Sequence, residues 1–366
     1  MKRRPAIAAA PRVSWQRSSV FGCLLGAAAL AAPSIAATPI AGLRPPDSAT
    51  GFHWRLPRGF PEPPVPRDNP MSELKLALGR RLFFEARLSI TGRYSCASCH
   101  DPALAYSDGR PNAIGATGSV MRRNAMALVN LAYNTSYGWS NSAVRTLEAQ
   151  MRQPLFNDHP VEIGLRDREA AVLGMLRSDS DYTTAFAAAF PSASSAVSIE
   201  NMIKAIAAFE RTLLFGDSAF DRYVYAGEHT ALDAEAKLGM RLFYSARLGC
   251  ANCHSGFNFT GTWNEQGHPP ARPALACNGA SDTPTRIPTL RNIALSAPYM
   301  HDGSLPDLRA VIAHYEGIHN SQRCRDRRLR DFTLDRRERA ALLAFLRSLT
   351  SPSVDSMGSG GQTPPF

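Results

Sequence analysis

One block of sequence occurs twice in this chain, and it limits the fold more than any other feature. Residues 77–89 read ALGRRLFFEARLS, with CASCH following at 96–100; residues 236–248 read AKLGMRLFYSARL, with CANCH following at 250–254. The shared frame is Leu-Gly-x-Arg-Leu-Phe, a second aromatic (Phe84 or Tyr244), one variable residue, Ala-Arg-Leu, and then Cys-x-x-Cys-His. Two related units at a wide separation point to duplication of one small domain. Cys-x-x-Cys-His is the attachment motif of c-type haem: two thiols form thioethers with the vinyl groups, and the adjacent histidine is held beneath the iron. A zinc knuckle or a redox dithiol would use some of the same residues. Two copies in matching contexts, both ending in histidine, favour haem on Cys96, Cys99 and His100, and on Cys250, Cys253 and His254.

The surrounding pattern is helical. Leu74, Leu78, Leu82 and Phe83 recur at helical spacing, as do Met202, Ile203, Ile206 and Phe209, and Leu342, Leu343, Phe345 and Leu346. Alternating strand patterns are scarce, and Gly/Pro-rich stretches such as 109–118 and 261–288 separate the periodic segments. The expected fold is all-α: two c-type cytochrome domains related by duplication, over 71–226 and 227–350, with long loops packed around two haems. Residues 38–70 read as a Pro-rich extended arm and 351–366 as a disordered tail.

The N-terminus gives the compartment. Lys2, Arg3, Arg4, Arg12 and Arg17 precede an apolar run from Val20 to Ala32, and small residues follow at Ser34, Ala36 and Ala37. This is the order of a secretory signal over residues 1–37, and the run is too short to span a bilayer comfortably. The chain is therefore expected in the periplasm, without stable membrane insertion. Cys23 lies inside the apolar run, which speaks against lipid attachment. Removing 1–37 takes away basic residues alone and lowers the formal charge from +10; the propionates of two haems would offset most of the remainder. With no basic stripe and interleaved aromatics, nucleic-acid binding has no support. Of the seven cysteines, Cys277 and Cys324 stand outside the motifs and are candidates for a disulfide in an oxidising compartment.

Over roughly residues 72–350 the sequence resembles the bacterial di-haem cytochrome c peroxidase and MauG superfamily. The resemblance rests on both haem motifs, on RRN at 122–124, LEAQ at 147–150, HPVEIG at 159–164 and PTLRNIALSAPYMHDGS at 288–304. It implies that the N-terminal haem reacts with hydrogen peroxide. Peroxidases proper cover that haem with a histidine from the loop after the motif; Ala116 stands at that place, and no histidine lies between His100 and His159. The resemblance implies the permanently open, MauG-like state. It also places Tyr315 as axial ligand of the second iron, where other members use methionine, with Met300 as a rival. Tyrosinate favours the higher oxidation levels of iron, where a thioether raises the potential.

By position, Trp139 matches a tryptophan lying between the two haems. Glu162 matches a distal carboxylate able to move a proton between the peroxide oxygens. Pro154 matches a distal-pocket proline, and Gln150, more loosely, an amide on the same wall. The segment from Pro154 to Glu162 is longer than usual, which leaves His159 a conceivable pocket residue. One calcium is implied between the domains, on the Asn124 side chain and the carbonyls of Ser296 and Pro298, with water completing an oxygen shell. Three functions follow. The first is a periplasmic peroxidase that uses hydrogen peroxide, through a bis-ferryl state, to oxidise a protein partner. The RRNAM, PLFNDHPVEIG and FERTL strings resemble the MbnH branch, whose implied task is converting tryptophan to kynurenine in an MbnP-like copper-binding protein. The second is a cytochrome c peroxidase reducing peroxide to water with electrons from a small cytochrome c or cupredoxin. The third is a non-catalytic electron carrier, which would need strong axial ligands on both irons.

Overall fold

The computed structural model describes residues 52–261, 275–318 and 325–354. The expected signal segment, the first part of the expected Pro-rich arm and residues 355–366 lie outside this set. The described chain is helix-rich: α1 (Glu73–Phe83), α2 (Leu147–Phe156), α3 (Glu169–Ser178), α4 (Ser180–Ala189), α5 (Ile199–Arg211), α6 (Ala219–Tyr225) and α7 (Ala234–Phe243) precede a two-strand antiparallel pair, β1 (Leu275–Ala276) and β2 (Thr285–Arg286), and α8 (Leu308–Glu316) and α9 (Arg336–Arg347) follow. Small polar side chains start most of the helices by accepting orphan N–H groups. Ser72, Thr146, Ser198, Asp233 and Asp307 each accept from the residue three positions on, and Ser218 and Asp335 form capping boxes with Asp221 and Glu338. Among the described residues no helix is long and apolar enough to cross a membrane.

The repeated sequence makes the same local structure twice. In each copy the Leu-Gly helix lies against a second helix, α1 on α5 and α7 on α9. The glycine is what allows the approach. A Cβ on Gly79 would stand 1.8 Å from the Ala205 carbonyl oxygen, and one on Gly239 would stand 1.9 Å from that of Ala341. Around these seams two apolar cores form. Leu78, Leu82, Phe83, Met202, Ile203 and Ile206 belong to the first; Leu242, Phe243, Phe259, Leu342 and Phe345 belong to the second.

Residues outside the repeats bind the halves into one body. Arg291 is fully buried, pairs with Asp221 through Nη1 at 2.8 Å to both carboxylate oxygens, and donates to the Phe257 carbonyl. Residues 52–70 carry no helix and lie along the body: Phe60 packs edge-on to Tyr133 and Phe257, and Asn69 donates to Glu148 and to the Lys204 carbonyl. The start of the expected tail departs from its composition. Ser351 N–H donates to the Asn292 side chain at 2.7 Å, Ser353 Oγ to Asp217 at 2.9 Å, and Val354 is buried in the first core. These tertiary partners hold residues 351–354, whatever their local propensity.

Candidate functional site

Each Cys-x-x-Cys-His forms a single tight turn, Cys96–Ser98 and Cys250–Asn252. Cys99 and His100 N–H donate to the Cys96 carbonyl at 3.2 and 3.0 Å; Cys253 and His254 do the same to Cys250 at 3.2 and 2.9 Å. The turn gathers both thiols and the imidazole within a few residues of backbone. Each imidazole is then oriented by a carbonyl. His100 Nδ1 lies 2.9 Å from the Tyr106 oxygen, and His254 Nδ1 lies 2.9 Å from the Phe259 oxygen. A carbonyl accepts only, so Nδ1 carries the proton and Nε2 keeps a lone pair for a metal. Tyr106 and Phe259 both adopt left-handed backbone, φ 58° and 54°, which turns the chain back towards the histidine. Among the described residues no three His, Cys, Asp or Glu side chains converge as a zinc site requires. The donor set fits a thioether-bound haem with one histidine ligand at each motif.

An apolar cavity of about 250 Å³ adjoins the second motif and is lined by Cys250, Cys253, His254, Trp139, Met300 and Tyr315. Tyr315, from α8, feels the electrostatic influence of both cysteines, and burial raises its phenol well above the ordinary range. Its hydroxyl makes no hydrogen bond among the described residues. Met300 shares the wall, but its sulfur receives the Asn278 side-chain amide at 3.5 Å. Asn278 is itself held: its neighbour Cys277 is disulfide-bonded, and its carbonyl lies 2.8 Å from His314 Nε2. The expected partner of Cys277, Cys324, lies outside the described residues.

At the first motif Ala116 is buried, and its N–H donates to the Glu162 carbonyl at 2.7 Å. The two residues therefore lie on adjoining backbone. Burial raises the Glu162 carboxyl above its ordinary value, and the same carboxyl acts electrostatically on Cys99. Pro154 lies inside α2, and its carbonyl accepts from Ile163 N–H at 3.0 Å, so the longer segment closes back on the helix. Gln150 stands one turn earlier on the same helix. His159 is exposed on that closing turn; the extra residues project it outward, and it is not a pocket residue. Trp139 belongs to the wall of the second cavity, and its carbonyl accepts the Arg286 N–H at 2.7 Å. Asn124, Ser296 and Pro298 also line this cavity; Asn124 Nδ2 lies 2.6 Å from the Arg110 oxygen and 3.4 Å from the Pro298 oxygen. Three residues carry no signal of their own in the sequence: Asn278, Arg286, and Glu210 of FERTL, a buried carboxyl that desolvation pushes up to about 8.

Comparison with known proteins agrees with this geometry. Residues 73–230 match the family model described as di-haem cytochrome c peroxidase. The methylamine utilization protein MauG of Methylorubrum extorquens is 34% identical, over 88% of this chain and 91% of that protein. The chain belongs to the di-haem cytochrome c peroxidase and MauG family. Cytochrome c551 peroxidase of Pseudomonas aeruginosa is 33% identical over 68% of this chain and 73% of its own length. Among solved structures, a MauG-like protein associated with microbial copper homeostasis superposes with a TM-score of 0.74 at 35% identity, covering 83% of this chain and 97% of that one. As a di-haem peroxidase of this family, the protein is an oxidoreductase acting on peroxide, and the family implies two c-type haem cofactors.

Proposed function

We infer that this chain is a MauG-like peroxidase that directs the oxidising power of hydrogen peroxide at a partner protein. The observation that carries the reading is the pairing of Ala116 with Glu162: a buried methyl group and a proton-transferring carboxyl on adjoining backbone. When bound, the two haems supply iron that takes up peroxide and stores its two oxidising equivalents. The chain's own residues do the rest. Ala116 leaves the approach to the first site clear. Glu162, whose carboxylate burial makes a stronger base, takes a proton from the near peroxide oxygen and delivers it to the far one. Pro154 and Gln150 shape that pocket. Trp139 provides an indole for charge to pass between the sites, and Tyr315 presents a phenol as an anionic ligand at the second.

The protein works after export to the periplasm, directed by residues 1–37. A calcium ion on Asn124 and the carbonyls of Ser296 and Pro298 belongs to the same reading. The solved relative tied to copper homeostasis supports an MbnP-like copper-binding protein as substrate, with a tryptophan carried to kynurenine. The test is to mix as-isolated ferric protein with peroxide, then add an MbnP-like copper-binding protein and follow its mass. Immediate spectral change without pre-reduction, then oxidation of a partner tryptophan, is the expected result. A requirement for pre-reduction, with fast turnover of reduced cytochrome c or cupredoxin, would replace this reading with peroxide scavenging.

A further inference from the structure

Among the described residues, Arg211 and Arg291 are buried, and both are paired. Arg291 meets Asp221 and Arg211 meets Glu148 through short carboxylate contacts. Arg286 is half-buried and has no such partner. Its N–H is tied to Trp139, and its side chain lines the cavity of the second motif. There Nη2 donates to Met126 Sδ at 3.1 Å, and Nε is buried with no hydrogen-bond partner. A thioether is a weak acceptor and brings no charge. Among the described residues no carboxylate lies within ion-pair distance of Arg286. Burial lowers its pKa to about 10, so the guanidinium is still cationic at neutral pH. The Met126 backbone also lies within hydrogen-bond reach of the His100 ring. An unpaired positive charge therefore stands beside Trp139 and next to both haem seats. Buried charges are retained where something neutralises them.

We propose that Arg286 is the counter-cation for a propionate carboxylate of the haem carried by Cys250 and Cys253, and that it fixes that carboxylate beside Trp139. This rests on the reading of the second motif as a haem seat. Thioether attachment consumes the vinyl groups and leaves the carboxylates free to find the guanidinium fork, which matches a carboxylate two bonds at a time. Neutralising the carboxylate withdraws negative charge from the neighbourhood of the iron, so Arg286 sets the potential of the second haem. It is a positioning residue, acting through the propionate.

The experiment is a spectroelectrochemical titration of the second haem in the wild type, Arg286→Gln and Arg286→Lys, each with its haem content counted as the pyridine haemochromogen. Arg286→Gln should shift the ferric/ferrous balance toward ferric by about tenfold or more, which is about 59 mV for one electron. The midpoint should also become proton-linked between about pH 5 and 8, because the freed propionate takes up a proton. Arg286→Lys keeps the charge and should stay within about threefold of wild type. Two haems with an unmoved potential and an unchanged pH profile in Arg286→Gln would overturn the proposal alone. A wild type with one haem would overturn it together with the reading beneath it. Should Arg286→Gln fail to mature, resonance Raman of the wild type decides. A propionate-bending band that is constant from about pH 5 to 8 supports the cation, and a band that moves over that range refutes it.

Discussion

Replacing Gly239 by alanine tests whether the close helix seam is what positions the second haem motif. The new Cβ would lie 1.9 Å from the Ala341 oxygen, 2.5 Å from its carbonyl carbon and 2.8 Å from Phe345 Cβ. Two of these are backbone atoms, with no rotamer to yield. To restore ordinary contact α7 must back away from α9 by about 1.5 Å, and a gap of that order forfeits more than half of each dispersion well along the seam. Overpacking of this kind costs about 1–3 kcal/mol and sometimes more, while the better helix propensity of alanine returns about 1 kcal/mol. With backbone on both sides the clash sits at or above the top of that range, so the expected net loss is about 2–3 kcal/mol, or roughly 5–8 °C in Tm. Gly174 supplies the control: it is helical, in α3, and a Cβ there meets nothing within 4 Å. Gly174→Ala should gain about 0.5–1 kcal/mol from propensity and the stiffer unfolded chain. Far-UV circular dichroism melts of the three haem-loaded proteins give the comparison. If Gly239→Ala melts at or above wild type, the seam argument is wrong.

Further outcomes concern the sites. Glu162→Gln should slow the reaction of ferric protein with peroxide by roughly 10²–10⁴-fold. Because burial raises this carboxyl, wild-type activity should fall as pH drops through a pKa above the ordinary carboxylate range and hold above it; the stopped-flow pH profile of the variant should lack that limb. Tyr315→Phe should abolish any tyrosinate-to-iron absorption. No methionine–iron band should replace it while Asn278 holds the Met300 sulfur, and such a band in the near-infrared would show that the tie is too weak to matter. Trp139→Phe should leave the rate of peroxide consumption within about threefold while partner oxidation, followed by mass spectrometry, falls much further.

What the sequence disclosed and what it withheld divide by range. Haem attachment is local chemistry: two thiols and an imidazole within five residues, so Cys96–His100 and Cys250–His254 are readable directly. Caps such as Ser218 and Asp335 are local as well. Ala116, Glu162 and Tyr315 were named through the family resemblance alone; Ala116 N–H donates to the Glu162 carbonyl, and Tyr315 shares a cavity wall with Cys250 and Cys253. Periodicity picked out the seam helices but not the reason they approach so closely, because a glycine in a helical pattern reads as a weakness until its neighbour is known. The Asn278–Met300 tie and the Met126–Arg286 contact join residues that only the closed loops bring together. The exposure of His159 was likewise out of reach, because extra length in a segment says nothing of which way the turn projects. Residues 351–354 have a tail's composition and tertiary partners that composition does not contain.

The cavity beside the second motif is walled partly by the first half of the chain. Residues 124–127 and Trp139 line it, and Asn124 N–H reaches across to the His301 carbonyl. The halves are therefore not interchangeable parts. A gene fragment encoding only the second cytochrome unit would lack one side of its own haem pocket, leaving apolar surface and a cofactor edge open to water. Such a fragment should aggregate or lose its ferrous state to oxygen, and adding the first half in trans should rescue it only by re-forming the shared wall. The first half of the chain is thus a structural component of the cavity beside the second motif, so the two halves are expected to mature and unfold as one piece.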